Sequence, residues 1–182
     1  MKHYFEPVRS SARALESVLA LAVCGMLLAL KIVLGLFSVD VSQILKIGFS
    51  FLPVAVAGML FGPVAGGVVG AAGDILSWFV RSTGPYFPGF TLDAALSGFL
   101  YGLFFYRRKP GMVRVAAAKT SVTVLVSMIL NPLWLSLLYG KAFYAIFAAR
   151  IAANLAQLPV DAAMLFLTLR LVERVRFRGL ER

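Results

Sequence analysis

The feature that most limits how this chain can fold is a succession of long apolar runs, broken only by short polar or glycine- and proline-bearing stretches. Residues 14–37, for example, carry just two charged side chains, Glu16 and Lys31. Such a run leaves its backbone N–H and C=O groups without water in a hydrocarbon layer. They must pair within the segment, which a helix does. The runs are continuous rather than alternating, so a β-barrel is excluded. Charged residues make up only 14% of the 182 residues and hydrophobic ones 60%, where a soluble domain carries about 25% charged. A helical crossing needs about 20 apolar residues, so the length allows roughly six crossings with short connections. The reading is an all-α integral membrane protein: one domain over residues 1–182, with six transmembrane helices in a compact bundle.

The six helices are predicted at 13–37, 49–61, 64–81, 91–106, 112–139 and 150–174. The first carries Lys31, which needs a partner or a route to the interface. The second is short, contains Pro53 and ends at a Gly62-Pro63 turn. The third opens with Gly66, Gly67 and Gly70, read as permitting close contact between helices two and three. Thr91 is the expected N-cap of the fourth. The fifth contains Asn131-Pro132 and the sixth Pro159. Between helices three and four lies Gly84–Leu92, whose two prolines and two glycines oppose a helix. Three rings, Tyr86, Phe87 and Phe90, are packed into that turn.

The formal charge of +10 resembles a nucleic-acid signal, but its distribution says otherwise. Basic residues flank the apolar runs, and with six crossings most of them fall on one side: Lys2, Arg9, Arg13, the Arg107-Arg108-Lys109 turn and the arginines of the C-terminal tail. The positive-inside rule then places both termini in the cytoplasm. The partner implied is a lipid bilayer, with no nucleic acid. Cys24 and His3 are the sole residues of their types, which leaves no disulfide, no thiol or imidazole metal site and no histidine acid–base centre. No cofactor is expected. Glu6 and the lack of a small-residue cleavage site after the first run mark a retained helix rather than a signal peptide.

Polar residues inside these runs recur at helical spacing. Helix six has Arg150, Asn154, Gln157 and Asp161. Helix five has Thr123, Ser127, Asn131 and Trp134, with Lys119 deeper. Helix three has Asp74, Trp78 and Arg81, and helix four has Asp93, Ser97 and Tyr101. With the orientation above, most of these lie in the outer half of the bilayer, under loops that carry Lys46, Tyr86, Phe87 and Lys141. Polar groups from four helices at one depth imply an outward-facing pocket; the competing reading is that they bond only to one another. Aromatic walls suit a flat ring, amides and carboxylates suit a ring edge with donors and acceptors, and outer cations suit carboxylates. On helix one, Gly25-x-x-x-Ala29 with Ala22 forms a smooth face open to close helix approach.

Several stretches carry a family resemblance. They are Phe51–Pro63 (FLPVAVAGMLFGP), Thr83–Leu92 (TGPYFPGFTL), Leu130–Leu135 (LNPLWL), Leu138–Lys141 (LYGK) and Arg150–Pro159. Together they resemble the folate-specific substrate-binding S components of energy-coupling factor (ECF) vitamin transporters, over nearly the whole chain. Two positions depart from that pattern: Pro132, where threonine is expected, and Gly25, where alanine is usual. The resemblance implies a component that captures folate outside the cell with high affinity. It would work with a transmembrane coupling subunit and two cytoplasmic ATPases, and topple in the membrane to release its ligand. Ala22, Gly25 and Ala29 would face the coupling subunit. No Gly-x-x-x-x-Gly-Lys-Ser/Thr phosphate loop is present, so energy would come from another chain. The pterin ring is expected near Trp78, Tyr86, Phe87, Asn131, Trp134, Asn154 and Gln157, and the glutamate carboxylates near Lys46, Arg81, Lys141 and Arg150. The alternatives are another vitamin (riboflavin, thiamine or pantothenate), a membrane enzyme drawing on Asp74, Asp93 and Asp161, and an adaptor protein.

Overall fold

The computed structural model describes residues 10–12, 15–40, 46–81, 85–140 and 143–180. Among these, six main helices follow in order: α1 Val18–Leu36, α2 Phe51–Phe61, α3 Pro63–Val80, α4 Pro88–Phe105, α5 and α6 Phe143–Leu180. Helix α5 has three consecutive parts, α-helical Met112–Val122, π-helical Thr123–Leu130 and α-helical Asn131–Tyr139. Helices α1, α3, α5 and α6 each contain a stretch long and apolar enough to cross a bilayer alone. At 11 residues, α2 is only about 16 Å long, and α4, with its polar outer turns, is enclosed by α2, α3 and α5.

The tightest packing is where backbones meet with no side chain between them. Gly62 turns the chain from α2 into α3 with φ of 95°, a conformation favourable only to glycine. Pro63 then starts α3 at a position where its missing N–H costs nothing. The Ser11 hydroxyl accepts the freed amides of Val64 (3.1 Å) and Ala65 (3.3 Å). A Cβ on Gly58 would lie 2.8 Å from the Gly102 nitrogen, and Cβ atoms on Gly66, Gly70 and Gly98 would overlap the carbonyls of Gly98, Ala94 and Gly66 respectively. The sequence assigned Gly66, Gly67 and Gly70 to a contact between helices two and three. Gly66 does touch Gly58 of α2, but Gly66, Gly67 and Gly70 all face α4. Residues four apart share a helix face, and α4 runs along that face beyond the end of the short α2.

The apolar core lies among α2, α4, α5 and α6, built from Ala55, Met59, Tyr101, Phe105, Val115, Leu165 and Leu169. A polar pair crosses it. Lys119 Nζ and Asp161 Oδ2 are 2.8 Å apart, and the ammonium sits 3.9 Å from the centre of the Phe51 ring. Asp161 is thus committed to an ion pair. Removing one partner of a buried pair strands the other charge, so Lys119→Met is expected to cost roughly 3–5 kcal/mol. Adding Asp161→Leu to that variant is expected to recover most of the loss. Thermal melting of the two variants in detergent checks both outcomes.

The structure departs from the sequence reading at several other points. The first connection holds a two-residue antiparallel ladder, β1 (Val39–Asp40) and β2 (Lys46–Ile47), where only a loop was expected. Helix α4 begins at Pro88, so Thr91 lies inside its first turn rather than at the N-cap; proline is well placed there because its φ is already helical. Helix α6 begins at Phe143, not near Arg150, since residues 143–149 contain no glycine or proline to stop it. The α-helical spacing that put Thr123, Ser127, Asn131 and Trp134 on one stripe does not hold through the π-helical part of α5. Thr123 is buried in the core, whereas Ser127 is half-buried.

Candidate functional site

Two aromatic groups lie at the outer ends of α3, α4 and α5. In the first, the ring of Trp78 on α3 stands 5.6 Å from that of Tyr86, which precedes α4, at an interplanar angle of 63°. Thr91 Oγ1 donates to Asp74 Oδ2 at 2.8 Å. With its proton committed there, Thr91 accepts from the Tyr86 hydroxyl at 2.9 Å. This relay of Tyr86, Thr91 and Asp74 ties the segment ahead of α4 to the middle of α3. It continues towards α1, because Lys31 is buried, donates to the Gly70 carbonyl at 2.7 Å and interacts electrostatically with Asp74. Lys31 lies against Gly73, where a Cβ would come within 2.7 Å of its Nζ. The partner that this membrane lysine needs is thus the α3 backbone, backed by the Asp74 carboxylate.

The second group is built on α4 and α5. Trp134 donates its indole N–H to Asp93 Oδ1 at 3.0 Å, and its ring lies 5.7 Å from that of Phe87. Phe87 in turn stands edge-on to Phe90 at 5.9 Å. Gly89 makes this assembly possible, since a Cβ there would lie 2.6 Å from Trp134 Cδ2. Asp93 is 4% exposed. A carboxylate this far from water, one edge of which already accepts an N–H, is suited to accept hydrogen bonds from a polar ring edge as well.

Of the residues singled out from the sequence, Trp78, Tyr86, Phe87 and Trp134 are brought into these two groups. Asn131 lies half-buried one turn before Trp134. Asn154 and Gln157 are half-buried on α6, which packs against the outer part of α5. Arg81 is at the outer rim, exposed, at the end of α3, with Nη1 3.5 Å from the Leu36 carbonyl at the end of α1. Lys46 lies in β2 and Arg150 in α6, but the side chains of both fall outside the described residues, as does Lys141 altogether. On α1, Ala22, Gly25 and Ala29 are exposed, together with Leu21 and Met26, and nothing stands within 4 Å of a Cβ built on Gly25.

Sequence reasoning placed Asp93 on the polar stripe of helix four and Asp74 on that of helix three, yet named neither among the binding residues. Thr91 was read only as a cap. The signal that singles out the two aspartates is the cost of a carboxylate at that depth, which requires partners. Among the described residues, no three His, Cys, Asp or Glu side chains cluster in a way that would hold a metal ion.

The chain as a whole is similar to known proteins. Residues 19–169 match the sequence model for the substrate-specific component of ECF transporters. The chain is 39% identical over 149 residues to the folate transporter FolT of Clostridium novyi (strain NT), an alignment covering 82% of this chain and 87% of that one. It is 30% identical over 147 residues to the folate transporter FolT of Streptococcus mutans serotype c, covering 77% and 79% of the two chains. Among solved structures, it resembles a crystal structure of FolT bound with folic acid, with a TM-score of 0.76, 35% identity and coverage of 82% of this chain and 92% of the other.

Proposed function

The chain belongs to the substrate-specific components of ECF transporters, and on that premise we propose that it captures folate at the outer face of the cell membrane for uptake driven by a separate ATP-hydrolysing module. The observation that carries this reading is the juxtaposition of the buried Asp93 carboxylate with the Phe87 and Trp134 rings. A pterin has a flat face and an edge of alternating donors and acceptors. Aromatic rings complement the face, and a carboxylate complements adjacent donors on the edge. The likeness to a folic-acid-bound FolT at 35% identity over most of both chains supports the same ligand class.

The ring would contact Trp78, Tyr86, Phe87, Asn131, Trp134, Asn154 and Gln157, with Asp93 added as acceptor. The glutamate carboxylates would meet cations at the rim, for which Lys46, Arg81, Lys141 and Arg150 remain the proposed set. The exposed small-residue face of α1, Ala22, Gly25 and Ala29, would receive a transmembrane coupling subunit, itself joined to two cytoplasmic ATPases. Mass spectrometry of small molecules released from the purified chain tests the ligand. Folate is the expected species after growth in folate-containing medium; another vitamin in its place would overturn the assignment.

A further inference from the structure

The π-helical part of α5 lies between two anchored halves. On the inner side, Val115, Ala118 and Val122 are buried in the core, and Lys119 is paired with Asp161. On the outer side, Trp134 is held by Asp93 on α4 and by Phe87. The phase of the helix is therefore set independently at its two ends. In an α-helix each residue advances the phase by about 100°, so two fixed ends need not agree. A stretch of wider turns can absorb the mismatch, and π-bulges of this kind often occur at functional sites.

The residue that closes this stretch is Pro132, which is fully buried. Proline has no N–H, and in an α-helix its ring clashes with the carbonyl four residues before it. Here that carbonyl belongs to Met128. Widening the turns ahead of Pro132 moves the obstruction aside. The amide of Asn131 shows the result, bonding to the Val126 carbonyl five residues back rather than four. Asn131 directly precedes Pro132 and Trp134 lies two residues beyond it, so the direction of both depends on the register at Pro132.

We propose that Pro132 and the π-helical turns before it are the positioning element of the site, fixing the angle at which Asn131 and Trp134 meet the ring of the ligand and thereby its selectivity for that ring. The proposal rests on the folate reading. It assigns Pro132 no contact with the ligand; the residue acts through Asn131 before it and Trp134 after it.

The test pairs Pro132→Ala with deletion of Leu125, a residue within the π segment that is 44% exposed. Pro132→Ala keeps the residue count but lets the wide turns tighten to α-helical ones, which rotates the outer part of α5 relative to the inner part by on the order of 100°, whereas removing one residue as well offsets that rotation. Three ligands are titrated against the full-length chain in detergent: folic acid, pteroic acid (ring without glutamate) and p-aminobenzoylglutamate (tail without ring). Pro132→Ala is expected to weaken folic and pteroic acid by about tenfold, as the loss of a ring hydrogen bond implies. Binding of the tail fragment should stay at its wild-type level, and the melting temperature should change little. Deleting Leu125 in the Pro132→Ala background removes the residue that the wide turns had absorbed, and should return the ratio of ring to tail affinity most of the way to wild type.

A Pro132→Ala variant that keeps the wild-type ratio of ring to tail affinity overturns the proposal, as does a folded double variant no closer to wild type than Pro132→Ala. If the double variant does not fold, the Pro132→Ala ratio alone decides. A wild-type chain that binds no folic acid overturns the functional reading itself, an outcome distinct from either.

Discussion

Asp93→Ala is expected to lower the affinity for folic acid by about 100-fold or more, because a charged hydrogen bond to a buried partner contributes about 1.5–3 kcal/mol. Two losses combine. The ligand loses its acceptor, and the Trp134 indole N–H, now bonded at 3.0 Å to Asp93, loses its fixed direction. Asp93→Asn separates them, since an amide oxygen can still accept from the indole while the negative charge is gone. It should therefore fall between wild type and alanine. Both variants should melt close to wild type, because the alanine cavity opens beside the ligand site rather than in the apolar core. Isothermal titration with folic acid, together with melting curves, checks each part. An alanine variant that binds like wild type removes Asp93 from the site.

Gly98→Ala is expected to destabilise the fold by forcing two helix backbones apart. The added Cβ would overlap the Gly66 carbonyl and come within 2.9 Å of Val54 Cγ1. The obstacle is backbone, which cannot rotate aside as a side chain can, so α3 and α4 must separate. Overpacking of this kind costs about 1–3 kcal/mol and sometimes more, which for a chain of this size corresponds to roughly 5–10 °C of melting temperature. The control is Gly35→Ala, at a position where nothing stands within 4 Å of the added atom. That variant should melt at or above the wild-type temperature, since alanine is the better helix former. Equal melting of the two variants would mean that the α3–α4 contact is not as close as described.

The membrane class and the six-helix plan were legible because they rest on a property additive along the chain, the length and apolarity of each run. Asp93 and Asn131 stand out in the sequence for a different reason, since a polar group within an apolar run needs a partner; for Asp93 the structure supplies the Trp134 indole. What the sequence left hidden depended on how helices meet. Gly66 and Gly70 announced a close approach without saying that α4 was the partner. Thr91 looked like a cap because caps and buried hydroxyl relays use the same residue type, and only the nearness of Asp74 decides between them. The π-helical part of α5 was hidden because its residues, TVLVSMIL, read equally well at α-helical spacing. Pro132 was the one visible sign of altered geometry, and its position just after the stretch gives no hint of how far back the widening extends.

The proposed folate site lies at the outward end of the bundle. The chain has two tryptophans, and Trp78 and Trp134 both belong to the aromatic groups described above. Their fluorescence therefore reports on that region directly. Titration of the purified chain with folic acid should quench it saturably at equimolar ligand, while riboflavin, thiamine and pantothenate in large excess should leave it unchanged. The absence of a saturable change with folic acid, or an equally tight response to another of these vitamins, would contradict the account.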